Sequence, residues 1–117
     1  MTERIIGCAI AVHGILGPGL VEATYEEALC IELNAEGLKF SRQIRVPIEY
    51  RGQLIGEYRP DLVVEAGVVV EIKSVDRLIG LHQAQLLAYM RILKLPVGLL
   101  LNFNGETLRS GVRRLAI

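Results

Sequence analysis

The six residues Val68-Val69-Val70-Glu71-Ile72-Lys73 constrain this chain more than any other stretch. Branched side chains are stiff at the first torsion and pack well on a pleated surface, so the run favours an extended backbone. It would be a continuous core strand but for two charges at its end. Alternate residues of a strand share a face, which sets the Glu71 carboxylate beside the Lys73 ammonium. Burying them costs free energy unless they pair with each other, with a metal, or with solvent in a cleft. Taken alone, the pair reads as an ordinary ion pair at a strand end.

The segment before it changes that reading. Arg59-Pro60-Asp61 leads into the apolar Leu62-Val63-Val64, and Glu65-Ala66-Gly67 turns the chain back toward Val68. A tight turn around Ala66 sets residue 61 opposite residue 71. Asp61 and Glu71 then become cross-strand neighbours, and two like charges so placed repel by up to about 1 kcal/mol on a sheet surface. A divalent cation with hard oxygen ligands relieves the repulsion, and Lys73 adds a further positive charge beside it.

Patterning supplies the surroundings. Thr2 is positioned to cap a first helix whose apolar residues Ile5, Ile6, Ala9, Val12, His13 and Leu16 follow helical spacing. Gly17-Pro18-Gly19 ends it, and a second helix runs from about Leu20 to Glu36, closed by Gly37. Beyond Gly37 the period changes to two. Leu38, Phe40, Ile44, Val46, Ile48 and Tyr50 share one parity, which predicts a long strand with Pro47 marking an edge or a bulge. Arg51-Gly52 turns it into a returning strand from Leu54 to Val64, and with residues 68–73 this predicts a three-stranded antiparallel meander.

A third helix opens between Asp76 and Gly80 and runs to about Lys94, with Leu78, Leu81, Gln85, Leu86, Tyr89, Met90 and Leu93 along one side. Gln85 is conspicuous there, because a buried amide needs partners. Val97 to Phe103 is a buried strand reached by a helical crossover, so it is expected parallel to an earlier strand. Leu108 to Ile117 adds a final edge strand. The expected order is α-α-β-β-β-α-β-β, an α/β fold in a single domain over residues 1–117.

Half of the 117 residues are hydrophobic, ample for a core, and 22% are charged, a normal globular share. A formal net charge of zero speaks against coating nucleic acid by bulk electrostatics. The zero conceals an asymmetry, however. Residues 1–37 carry six glutamates against Arg4 alone, whereas residues 38–117 hold twelve basic and seven acidic residues. Cys8 and Cys30 sit in apolar helical patterns without metal-ligand spacing, which reads as buried reduced thiols and a cytoplasmic protein. Neither a signal-peptide layout nor an apolar run of the roughly 20 residues a membrane span requires is present.

Pro60-Asp61, nine intervening residues and Glu71-Ile72-Lys73 together resemble the signature of the PD-(D/E)XK nuclease superfamily, the restriction-endonuclease-like fold. The element order is similar to that superfamily's core. Gln85-Leu86-Leu87-Ala88-Tyr89 resembles the QxxxY element of its RecB-like branch, and Gly19-Leu20-Val21-Glu22-Ala23-Thr24-Tyr25 resembles the motif that names the GxxExxY family. The resemblance implies that Asp61 and Glu71 bind Mg²⁺ or Mn²⁺, with the Ile72 carbonyl as a further ligand. It implies that Lys73 orients or activates the attacking water, and that Glu22 completes the metal site from its helix. Gln85 and Tyr89 would support the site or contact substrate, and Tyr25 would steady Glu22, contact substrate or simply pack.

Two functions follow as expectations. The first is a metal-dependent nuclease cutting phosphodiester bonds of DNA or RNA, DNA being favoured. The second is a non-catalytic binding or assembly module that keeps the nuclease fold and acts through a partner. So short a chain leaves little surface to grip a duplex, which makes a homodimer or a protein partner plausible. A small-molecule acid–base hydrolase is disfavoured, since no nucleophile–histidine constellation is evident.

Overall fold

A computed structural model describes all residues from Met1 to Ile117. Helix α1 (Thr2–Leu16) and helix α2 (Glu22–Ala35) form one layer. The strands that follow are β1 (Phe40–Arg42), β2 (Val46–Tyr50), β3 (Gln53–Tyr58), β4 (Leu62–Val64) and β5 (Val68–Lys73). Helix α3 (Gly80–Leu93) then crosses to β6 (Val97–Asn102), and a short 3₁₀ turn at Arg109–Gly111 leads into β7 (Val112–Ala116). Five strands make a mixed sheet in the order β1-β4-β5-β6-β7, flanked by helices on both faces.

Strand β5 organises the whole. It runs antiparallel to β4 and parallel to β6, so its hydrogen-bonding edges are shared with two neighbours. Val68, Val70 and Ile72 point to the α1/α2 layer, where they join Ile5, Leu29 and Leu33 in the main core. Val69 points to the opposite face with Leu100, Leu86 and Met90, under α3 alone. Each fully buried side chain of this size contributes about 1.5–3 kcal/mol. The period of two therefore carries Glu71 and Lys73 onto the face roofed by a single helix.

Several expectations are met. The turn at residues 65–67 pairs Leu62 with Val70, Val63 with Val69 and Val64 with Val68, which extends to Asp61 opposite Glu71. Glu65 and Ala66 both adopt positive φ (52° and 53°) to make it so tight. The crossover strand β6 is parallel to β5, and β7 closes the far edge. Gly37, at φ 72°, ends α2. Cys8 and Cys30 are free and buried, and His13 is tied by Nε2 to the Gly105 carbonyl at 2.8 Å.

The meander needs correction. Residues 38–50 do not form one strand, because β1 stops at Arg42 and the chain swings out of the sheet through Gln43, at φ 48°. The returning strand breaks as well, at Arg59-Pro60-Asp61, where Pro60 offers no N–H to a ladder. Strands β1 and β4 pair within the main sheet, and β2 and β3 form a separate two-stranded hairpin between them. Five strands, not three, precede α3. At the N-terminus Met1 occupies the cap position, and Thr2, buried inside the first turn, accepts from Arg114 Nε at 3.3 Å. On α3 only Leu86 and Met90 are fully buried, whereas Leu81 is exposed.

Candidate active site

Strand β4 is three residues long and β5 six, so the last half of β5 has no strand beside it on the β4 side. The residue filling that place is Asp61. Its Oδ2 accepts the Ile72 N–H at 2.7 Å, in the manner of a missing strand neighbour. Its own N–H donates to Glu71 Oε1 at 3.2 Å, and the Gln43 N–H donates to its carbonyl at 3.2 Å. Asp61 and Glu71 are thus held in place by backbone donors. In an extended strand the N–H and carbonyl of one residue face the same side, so the Ile72 carbonyl faces Asp61 too.

Glu71 is 7% exposed, and Tyr58 Oη donates to its Oε1 at 2.5 Å. Its other oxygen, Oε2, accepts no hydrogen bond from the chain, and no buried polar side-chain atom lacks a partner, so Oε2 meets solvent. Burial, followed by the Asp61 charge, pushes the Glu71 carboxyl up to about 7. Burial raises Asp61 as well, opposed by the Ile72 N–H. Tyr58 is held above its ordinary range by burial and then by Glu71. Tyr89 on α3 stacks on the Tyr58 ring and is raised by burial, then by the charges of Glu71 and Asp61. The two tyrosines form an aromatic wall on the acids, and they keep water from one side.

Lys73 is half-buried on the Glu71 face and makes no ion pair within 4.0 Å. Its charge still lowers both Asp61 and Glu71. The expected side-by-side ion pair is thus a looser arrangement: two bound carboxylates and a nearby free ammonium.

The helical residues divide. Glu22 opens α2 and reaches over the end of β5, where its Oε2 accepts the Ser74 N–H at 3.1 Å. No third acid, histidine or cysteine joins Asp61 and Glu71 in a ligating cluster, and Glu22 therefore stands beside the pair rather than in it. Tyr25 is fully buried. It stacks on Phe103, donates from its hydroxyl to the Gly17 carbonyl at 2.6 Å and accepts the Leu20 N–H at 3.1 Å. It has no surface left for a substrate and holds the glycine loop before Glu22. Gln85 is half-buried on α3, and its amide makes no hydrogen bond with the chain.

Three residues near the acids escaped the sequence pattern. Tyr58 lies at the end of an alternating run that Pro60 interrupts, so parity gave no clue to where it points. Gln43 Nε2 spans Glu26 Oε1 at 2.9 Å and Asp61 Oδ1 at 3.4 Å. Glu26 is buried on α2 and accepts twice from Arg42, at 2.8 and 3.1 Å, and its charge raises Asp61. A buried acid on an otherwise outward stripe of glutamates was a signal hidden by its neighbours. The largest surface groove, about 520 Å³, is lined by Phe40, Ile44, Val63, Leu93 and Leu95 and contains none of these acids.

A sheet edge vacated beside β5, two carboxylates from directly opposed residues and a lysine two residues on reproduce, in space, the spacing noted in the sequence. The family model of the PD-(D/E)XK nuclease superfamily matches residues 1–115. The chain belongs to the PD-(D/E)XK nuclease superfamily. Searches of curated proteins and of solved structures return no match. No helix is long and apolar enough to cross a membrane.

The donors fit the divalent cation that superfamily members typically use. Both side chains are hard oxygen donors, one oxygen of Glu71 is unbonded, and Asp61 Oδ1 has only the long contact to Gln43. Mg²⁺ commonly takes one or two carboxylates and keeps several waters, which suits a two-acid site.

Proposed function

We propose that this protein is a Mg²⁺- or Mn²⁺-dependent nuclease of the RecB-like branch and of the GxxExxY family, hydrolysing phosphodiester bonds of DNA. The observation that carries the proposal is the Asp61–Glu71 pair, clamped by the Ile72 and Asp61 N–H groups with unpaired Lys73 on the same strand. Asp61, Glu71 and the Ile72 carbonyl would hold the cation. The chemistry it supplies when bound is Lewis acidity toward a phosphoryl oxygen and a more acidic water.

The chain's own residues do the rest. Lys73 is free to hold the attacking water by hydrogen bonding and to meet charge that develops on the phosphate. Tyr58 fixes Glu71 in one rotamer, and with Tyr89 it excludes water from that flank. Glu22, through Ser74, positions the end of β5 that carries Lys73. The motif Gly19 to Tyr25 supports the family assignment, and Gln85 with Tyr89 supports the branch. Tyr25 acts by shaping the loop before Glu22.

Purified protein incubated with Mg²⁺ or Mn²⁺ and a panel of single- and double-stranded DNA and RNA tests the proposal. Cation-dependent cleavage is expected, falling about 10³-fold in Lys73→Ala, in line with the loss of one transition-state donor. Cleavage that survives the substitution unchanged refutes the assigned site. Inactivity on every substrate, with no cation bound in calorimetry, replaces it with a partner-binding module of the same fold.

A further inference from the structure

We propose that the β2–β3 hairpin is a nucleic-acid arm, whose Tyr58-bearing face, ending in Tyr50, Arg51 and Gln53, binds the strand leaving the Asp61–Glu71 site; this role rests on the phosphodiesterase reading of that site. The hairpin stands apart from the body. Strands β2 and β3 pair with each other and belong to neither the main sheet nor either core cluster. Tyr50, Leu54 and Ile55 are each more than 60% exposed. A two-stranded hairpin is marginal on its own, and folding alone offers no return for exposing large apolar groups there.

Its attachment fixes its direction. Tyr58, the last residue of β3, touches Glu71, and Arg59-Pro60 leads straight into Asp61. Cross-strand partners share a face, and the register pairs Val46 with Tyr58, Ile48 with Gly56 and Tyr50 with Gln53. One face thus begins at the acids and ends at the tip. A bulge at Ile55 shortens β3, and along β2 four steps lead from Val46, beside Tyr58, to Tyr50 at the tip, roughly 13 Å at the usual strand rise. That length suits a platform for a few stacked bases.

The charges choose the occupant. The face that begins at Tyr58 carries no acid. Glu49 and Glu57 belong to the other face, and Glu57 is neutralised by Arg45 at 3.8 Å and Arg59 at 3.9 Å. Arg51 has no carboxylate partner and lies over the Tyr50 ring, 5.9 Å from its centroid. Gly56 leaves open space in the middle of the face. An exposed tyrosine under an arginine, with a glutamine beside them, presents a stacking surface, a phosphate-seeking charge and an amide for base edges. A polyanion with flat bases fits this set.

The test is the double variant Tyr50→Ala/Arg51→Ala, with Tyr50→Trp as the conservative control. Fluorescence anisotropy in EDTA measures binding to labelled 20-mers of single-stranded DNA, duplex DNA and RNA. Hydrolysis of bis(4-nitrophenyl) phosphate with Mn²⁺, a substrate too short to reach the tip, reports the acids alone. The double variant should bind its preferred oligonucleotide at least about 10-fold more weakly, with the salt dependence of log Kd reduced by about one. Its hydrolysis of the short substrate should be unchanged, and Tyr50→Trp should bind like the parent.

Equal binding by parent and double variant overturns the arm. So does a change of oligomeric state in light scattering at unchanged Kd, which would make the hairpin an interface between copies. Failure of the parent to bind any of the three oligonucleotides overturns it as well. Failure of the parent to hydrolyse either the short substrate or any oligonucleotide overturns the site reading instead.

Discussion

The molecule contains two hairpins with similar sequences and opposite fates. β4–β5 is apolar, tightly turned and sealed: five of the six β5 residues are buried, Glu71 among them. β2–β3 is also rich in apolar residues and also tightly turned, at Arg51-Gly52, yet every β3 residue but Tyr58 is exposed. The local pattern does not distinguish them. What differs is cover, since β4–β5 lies between the α1/α2 layer and α3 while β2–β3 meets a helix only at its base, where Tyr58 stacks on Tyr89. Burial of the first makes it a rigid support for two acids; exposure of the second leaves it available to a ligand.

Three comparisons sharpen or break this contrast. The largest effect belongs to the core. Leu101→Ala, beside β5 and fully buried, should lose about 2–5 kcal/mol of unfolding free energy in urea titrations. Leu54→Ala on the outer hairpin should stay within about 0.5 kcal/mol. Comparable losses at both positions would mean that the hairpin is packed against something.

The next effect separates electrostatics from packing. The Glu71 carboxyl is raised in the folded protein from 4.5 to about 7, so folding favours its neutral form. Its contribution to stability is complete below about pH 4.5 and disappears as pH rises through about 7. Cation-free protein in EDTA should therefore lose on the order of 3 kcal/mol from this group between pH 4.5 and pH 8. Glu71→Gln should lack that component, and urea titrations of both proteins at the two pH values measure the difference. An identical pH slope in the two proteins would place the titration elsewhere.

The smallest effect lies at the junction of the two hairpins. Tyr58→Phe removes the donor that holds Glu71 down while keeping the ring against Tyr89. Glu71 should become a still weaker acid. Mn²⁺ binding measured by calorimetry at pH 7 should weaken by up to about 1 kcal/mol, and less so at pH 8.5, where the proton no longer competes. A loss independent of pH would point to displaced geometry instead.

The sheet was legible wherever a rule of connection applied. The Glu65-Ala66-Gly67 turn dictated the register that faces Asp61 with Glu71, and the helical crossover dictated that β6 runs parallel to β5. Parity failed between Leu38 and Val64. Phe40 on the sheet and Ile48 on the outer hairpin satisfy the same alternation, and nothing in that alternation records that Gln43 and Pro60 detach one from the other. The acids of the strands were legible because their neighbours are local. Glu22 and Glu26, one turn apart on α2, were not separable by spacing. Which of them meets Ser74 and which meets Arg42 and Gln43 depends on how α2 docks across the sheet. Gln85, the amide expected to need a partner, is only half-buried, and solvent satisfies it.

The separateness of β2–β3 also has a kinetic meaning. Backbone amides exchange with solvent through the cheapest opening that frees them, and a segment outside the common core opens without disturbing it. Amides of the outer hairpin therefore escape by local fraying, whereas those at the centre of β5 and β6 wait for the whole sheet to come apart. The protein joins a yielding limb to an unyielding anvil, with Tyr58 at the junction, so the limb can bend while the carboxylates hold still.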